Sequence, residues 1–262
     1  MKGIVGAICG DIIGSTREFN SIKTKEFELV PENSHFTDDT ILTLSLASWL
    51  VNDESFSKDS LIDEIKHLCS EYPRAGYGGR FKSWIFSNDR DAYNSWGNGS
   101  AMRVSPVAWV GTSLKEVEFL AKISAEVTHN HPEGIKGAVA TAGSIYLAKT
   151  GKDKDYIKKY VEKNFDYDLS RKLDDIRPHY SFEVSCQKSV PEAIICFLES
   201  NSYEDTVRNA ISLGGDADTQ AAIGGSIAAA FYDVPESIVD DCLYYLDDTL
   251  ANILKEFNNK YL

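Results

Sequence analysis

The chain has 262 residues, of which 43% are hydrophobic and 26% charged, with a formal net charge of −13. That length can bury a substantial core, and the composition is ordinary for a globular protein. The acidic balance argues against a nucleic-acid backbone as partner, because neutralising phosphates needs a basic face; it leaves room for a small anion held by backbone N–H groups.

In chain order, the N-terminal stretch MKGIVGAICGDIIG is apolar but broken by Asp11, then by Arg17 and Glu18. The uncharged run is too short for a membrane helix, and no A-x-A-like cleavage site follows, so a cytoplasmic protein with no membrane association is expected. Gly6, Gly10 and Gly14 lie four apart and would leave one helix face bare, suited to a close crossing. Next comes HFTDDTILTLSLASWLV, in which Thr37, Asp38 and Asp39 precede an apolar helix from Ile41 to Val51. Alone, Thr37 or Asp38 reads as an N-cap and Asp39 as a favourable charge at the positive end of the helix dipole. Leu61, Ile65, Leu68, Cys69 and Tyr72 recur at helical spacing. RAGYGGRF (74–81) and GNGSAMR (97–103) are glycine-rich, and flexible backbone of this kind can turn its N–H groups toward an anion.

Ser113 with Glu116 forms a capping box ahead of Leu114, Val117, Leu120, Ala121 and Val127. THNHPEG follows, then the small-residue helix Ala138–Ala148 and a polar excursion at about 164–190. Within it, Tyr180–Cys186 reads equally as a strand or an extended loop. Pro191 predicts a helix start, and a single long helix is expected after Pro235, with Val239, Cys242, Leu246, Leu250, Ile253 and Phe257 on one stripe. Irregular structure is expected at about 20–40, 73–112, 128–135 and 164–190. No repeat or composition shift marks a boundary, so the expectation is an all-α fold in one compact multi-helix domain, 1–262, and by default a monomer. The five cysteines are scattered without a CxxC pair and read as buried thiols in a reducing compartment.

The segment LGGDADTQAAIGGS (213–226) places Asp216 and Asp218 as the only charges in a small, apolar run. Buried carboxylates are costly unless their charge is compensated. FTDDT offers a matching pair of carboxylates beside a threonine, about 180 positions upstream. Together these hard oxygen donors suit Mg²⁺, Mn²⁺ or Ca²⁺ rather than zinc, and four carboxylates in one place would repel strongly unless divalent cations lay between them. Neither cluster continues into an EF-hand loop, and the two histidines of HNH lack a third soft ligand for zinc.

Five motifs in order, GAICGDIIGSTREF, FTDDT, WGNGSAMRVSPVAWV, THNHPEGIKGA and AISLGGDADTQAAIGGSIA, resemble the ADP-ribosylglycohydrolase family and extend from about residue 3 to 232. The resemblance implies a compact all-α fold, a binuclear Mg²⁺ or Mn²⁺ centre, and hydrolysis of the glycosidic bond between ADP-ribose and an acceptor. It puts Thr37, Asp38 and Asp39 on the first metal motif and Asp216, Asp218 and Thr219 on the second. Glu18 falls on an acidic position near the metals and the scissile ribose. Asn98, Gly99 and Ser100, with Met102 beyond them, fall on the diphosphate loop, and His129 on the histidine beside the nucleotide. Tyr77 and Gly78 lie where the cleft would be lined, with Tyr77 or Phe81 stacking on adenine.

On this reading Glu18, Asp39 or Asp216 takes the proton of the attacking water at an oxocarbenium-like transition state. The partner is an ADP-ribosylated protein or small molecule. Two rivals remain: a metal-dependent phosphohydrolase cutting the diphosphate, and a non-catalytic ADP-ribose-binding or structural relative.

Overall fold

The helical periodicity is realised throughout: among residues 2–262, which the computed structural model describes, the chain forms fifteen helices and no strand. In chain order they are α1 (Val5–Gly14), α2 (Asp38–Asn52), α3 (Lys58–Glu71), α4 (Gly79–Ile85), α5 (Gly99–Met102), α6 (Ser105–Val110), α7 (Leu114–Glu126), α8 (Pro132–Lys149), α9 (Lys154–Phe165), α10 (Leu173–Ile176), α11 (Cys186–Leu198), α12 (Tyr203–Ser212), α13 (Ala217–Phe231), α14 (Glu236–Leu243) and α15 (Asp248–Tyr261).

The glycines of α1 set the centre. Every residue of this helix is buried, and it lies against α13, which is buried except at Phe231. A Cβ on Gly6 would stand 2.2 Å from Ala229 Cβ, one on Gly10 2.2 Å from the Ala221 carbonyl oxygen, and one on Gly14 2.4 Å from Asp218 Cα. The two backbones therefore touch, which only glycine permits. Around this pair α13 packs on α8, α11 and α12, while α2 is held between α1, α3 and α15. A single hydrophobic core runs from Ile4 to Phe257.

Local signals account for most boundaries. Ser113 Oγ accepts from the Glu116 N–H, as a capping box requires, but the Glu116 carboxylate reaches Thr112 rather than Ser113, accepting from its N–H at 2.8 Å. Two expectations are corrected. Pro191 does not start its helix; α11 begins at Cys186, five residues earlier, and carries Pro191 inside. The carbonyl of Gln187, left without its usual donor, belongs to an exposed residue that water can reach, so the proline is tolerated. The expected single helix after Pro235 is two, α14 and α15, because the Asp247 side chain accepts from the Leu250 N–H at 3.0 Å and caps a new helix.

The irregular stretches also contain short helices, α4 to α6 in the first long one and α10 in the last. Tyr180–Cys186 forms no strand. It is extended, with one antiparallel bridge between Gly97 and Ser185, and it pins the glycine loop through Asn98 N–H to the Val184 carbonyl at 2.7 Å and Cys186 N–H to the Trp96 carbonyl at 3.0 Å. All five cysteines are buried and free. Among the described residues no helix is long and apolar enough to cross a membrane.

Gly10→Ala forces a methyl group into the α13 backbone, so it is expected to cost about 1–3 kcal/mol. Denaturant unfolding of the variant beside the wild type measures this, and an unchanged midpoint would contradict the close crossing.

Candidate functional site

The α1–α13 contact ends where both helices carry carboxylates. Asp11 is buried on the last turn of α1, Asp216 stands at the N-cap position of α13 with no capping hydrogen bond from its side chain, and Asp218 sits in the first turn. The turn before Asp216 uses Gly214 at φ +65°, the left-handed region that favours glycine. Asp11 also organises α2. Its carboxylate accepts from the Thr37 and Thr40 N–H groups at 2.9 and 3.0 Å, from the Thr37 hydroxyl at 2.7 Å and from the Thr40 hydroxyl. It thus acts as a cap supplied from another helix, satisfying donors that a helix N-terminus leaves orphaned. Thr37 is the N-cap of α2 within its own chain segment, accepting from Asp39 N–H at 3.3 Å.

The outcome is an acidic cage. One ligand oxygen from each of Asp11, Asp39 and Asp218 lies within 4.8 Å of the others, and the same holds for Glu18, Asp216 and Asp218. Asp218 belongs to both trios. The half-buried Asp38 lines the same cleft, close enough to feel the charges of Asp218, Asp11 and Glu18. Among the described residues, none of these six carboxylates forms an ion pair with Lys, Arg or His. Asp39 Oδ1 is buried without any hydrogen-bond partner, while its Oδ2 accepts from the Thr219 hydroxyl at 3.0 Å.

Protonation follows from that arrangement. Burial first, then the charge of Asp218, pushes Asp38 and Asp39 well above the usual carboxylate range, and burial with Asp216 does the same to Asp218. Burial pushes Asp216 up to about 6, restrained by the hydrogen bond it accepts from Asn98 Nδ2 at 2.7 Å. Glu18, on the loop just past α1, is pushed from 4.5 to about 8 by burial and the negative charges of Asp218 and Asp11. Six hard oxygen donors of this kind, one orphaned and none paired, fit divalent cations such as Mg²⁺ or Mn²⁺.

The cage forms one wall of a cleft of about 430 Å³, a volume suited to a small-molecule ligand. A series of contacts leads away from it. Asp216 is bonded to Asn98; Gly99 lies beside His129; the His129 ring is 6.2 Å from Tyr93; and Arg80 stacks over Tyr93 at 5.1 Å. Phe81 lines the same region. Across the mouth, Phe19 and Phe182 stack at 5.9 Å, with Phe19 84% exposed.

Of the residues singled out by sequence, Glu18, Asp38, Asp39, Gly78, Asn98, Gly99, Met102, His129, Asp216, Asp218 and Thr219 all line this cleft. Three do not. Thr37 turns its hydroxyl to Asp11, Ser100 donates to the Gly134 carbonyl at 2.7 Å, and Tyr77 is core-packed with its hydroxyl toward the Cys69 carbonyl. His131 caps α8 instead, accepting from Glu133 N–H. The loop after Glu18 and the segment Asp166–Ser185, which the sequence suggests for the acceptor side, contribute Phe19, Phe182 and Val184 to the cleft, though none is singled out by sequence; Tyr93 and Arg103 were missed. Arg103 did carry a signal, being the only charge between Ser100 and Val110.

The fold and site define an all-helical protein with a cage of buried and half-buried carboxylates in the wall of one cleft. A sequence model of the ADP-ribosylglycohydrolase family matches residues 1–261, and the chain belongs to that family. It is 28% identical to human (Homo sapiens) ADP-ribosylhydrolase ARH3 across 96% of this chain and 91% of that protein. It is 23% identical to the ADP-ribosylarginine hydrolase Tri1 of Pseudomonas putida, across 88% and 70%. A solved structure described as an ADP-ribosylglycohydrolase-related protein complex shares the fold, with a TM-score of 0.75 at 21% identity, covering 99% of this chain and 96% of that one.

The raised Glu18 carboxyl fixes the sign of a pH effect. The folded chain holds this proton more tightly than the unfolded chain, so the metal-free protein is expected to lose stability as pH rises from about 4.5 to about 8. Millimolar Mg²⁺ or Mn²⁺ is expected to flatten that slope by binding only the folded state. Melting temperatures across this pH range, in chelator and in metal, measure both; curves that superpose would contradict cation binding by the cage.

Proposed function

We propose that this protein hydrolyses the glycosidic bond between ADP-ribose and an acceptor, either a protein side chain such as arginine or a small ADP-ribosylated molecule. The observation that carries this reading is the cage of six unpaired carboxylates at the base of a cleft that has donor groups and aromatics further along. Two divalent cations, Mg²⁺ or Mn²⁺, would be held by Glu18, Asp38, Asp39, Asp216 and Asp218, with Thr219 as a neutral oxygen donor. Such cations supply positive charge for the ribose hydroxyls and make a bound water more acidic.

The chain's own residues do the rest. Thr37 acts one step back, through the Asp11 carboxylate, to hold Asp38 and Asp39 in place. In the Gly97–Gly99 loop the Gly97 and Asn98 N–H groups are taken by Ser95 Oγ and the Val184 carbonyl, so it is the Gly99 N–H that would meet the diphosphate, which a protein of net charge −13 otherwise repels. Phe81 and Tyr93 offer ring faces to the adenine, so the ribose that carries the acceptor lies over the cage. Glu18 is the proton acceptor in this scheme. It lies on the loop after α1, half-buried and lining the cleft, where an attacking water would reach it. Water oxygen bonds to the anomeric carbon, the bond from that carbon to the acceptor breaks, and the proton lost by water passes by way of Glu18 to the departing acceptor. Phe19 and Phe182 would meet the acceptor as it leaves.

Glu18→Gln is expected to lower turnover by about 10²–10⁴-fold, and the double variant Asp216→Asn, Asp218→Asn to abolish both turnover and Mg²⁺ binding by calorimetry. The products of an ADP-ribosylarginine substrate decide the reaction class. Intact ADP-ribose means glycosidic cleavage, whereas AMP would mean a phosphohydrolase, and absence of any product with metal bound would mean a binding protein.

A further inference from the structure

His129 stands in the cleft wall with its two ring nitrogens in different surroundings. Nδ1 lies 2.7 Å from the Thr128 hydroxyl. Nε2 faces the glycine loop, 3.1 Å from where a Cβ on Gly99 would sit and 3.8 Å from one on Gly97. Behind this pair is Arg103, wholly buried, whose Nη2 donates to the Ser124 carbonyl and to Thr128 Oγ1, both at 2.9 Å. A guanidinium only donates, so Thr128 Oγ1 must accept there.

The hydroxyl proton of Thr128 then needs an acceptor of its own. Thr128 is wholly buried, and among the described residues the only remaining partner of its hydroxyl is His129 Nδ1. Nδ1 is therefore the accepting nitrogen, and the single ring proton sits on Nε2. A second proton is opposed by burial and by the neighbouring Arg103 charge, which hold the ring well below its usual range. The backbone fixes the geometry, since His129 N–H donates to the Ala125 carbonyl at 2.7 Å, continuing the last turn of α7.

We propose that Arg103 and Thr128 are positioning residues for His129, locking it as a neutral imidazole that can only donate, from Nε2, to a substrate oxygen held at the Gly97–Gly99 loop. The ligand chemistry selected at this point is an oxygen acceptor, of the phosphate or hydroxyl type; a group presenting its own N–H or O–H there with no lone pair toward His129 is refused. That the oxygen belongs to ADP-ribose rests on the function proposed above, but the tautomer does not.

Two measurements on the full chain test this separately. Nitrogen NMR of the protein labelled at its five histidines, with the His129 signal assigned by its loss in His129→Gln, reads the tautomer directly. The wild type and Thr128→Ser, which keeps the hydroxyl, are expected to show a neutral ring protonated at Nε2. Thr128→Val, which keeps the shape and loses the hydroxyl, is expected to populate the Nδ1-protonated form and to weaken ADP-ribose binding by about tenfold in calorimetry, with the serine variant near wild type. A wild-type ring protonated at Nδ1 overturns the proposal whatever the valine variant does. So does a valine variant with an unchanged tautomer and affinity. A wild type that shows the Nε2 proton yet binds no ADP-ribose supports the relay and removes the proposed substrate instead.

Discussion

The contact between α1 and α13 governs what the rest of the molecule can do. Helices ordinarily keep their axes 8–10 Å apart because side chains lie between them. Here Gly10 and Gly14 bring one backbone onto another, against Ala221 and Asp218. That closeness is what lets a carboxylate from the first dozen residues meet carboxylates from beyond residue 215. Asp11 then reaches sideways to the start of α2 and draws in the pair that follows Thr37. One apolar crossing thereby gathers three distant segments of acidic sequence, and the hydrophobic core around it holds them against their mutual repulsion.

How much of this was legible in the sequence differs from one feature to another. The all-α class was, because the apolar spacing in segments such as Leu61–Tyr72 repeats at the helical period. The cage was legible too, since aspartates in small, apolar surroundings such as Asp216 and Asp218 ask for a counter-charge. Boundaries were less so. Pro191 looks like a start signal, but a proline inside a helix is tolerated where the carbonyl it deprives is wetted, and exposure of Gln187 is a tertiary fact. Asp247 was passed over because a continuous apolar stripe is a louder signal than one capping carboxylate. Tyr77 and Ser100 sit in motifs with every sign of a ligand loop, yet their side chains turn into the protein; a motif fixes the path of the backbone, not the direction of each side chain. Phe19 and Phe182 meet only because two loops meet, which no local pattern encodes.

Asp11 illustrates why roles are harder to read than membership of a cluster. It has the same chemistry as its neighbours and lies within reach of Asp39 and Asp218. Its four hydrogen-bond donors nevertheless come from Thr37 and Thr40, so most of its lone pairs are committed to shaping α2. Asp39 is the opposite case, with one oxygen buried and unclaimed. The distinction between a carboxylate that builds the site and one that serves it lies in the donor count, which only coordinates supply.

The bond from Asn98 to Asp216 joins the glycine loop to the cage, and the same Asn98 is anchored through its backbone to Val184 on the opposite rim. Under the function proposed above, a cation drawing on the Asp216 oxygens would pull on the loop proposed to receive the diphosphate, and a diphosphate in the loop would pull back. Thermodynamics makes such an influence mutual and equal in size. If both halves bind as proposed, the Asn98 amide joins them, and affinity measured at either half would carry the state of the other within it.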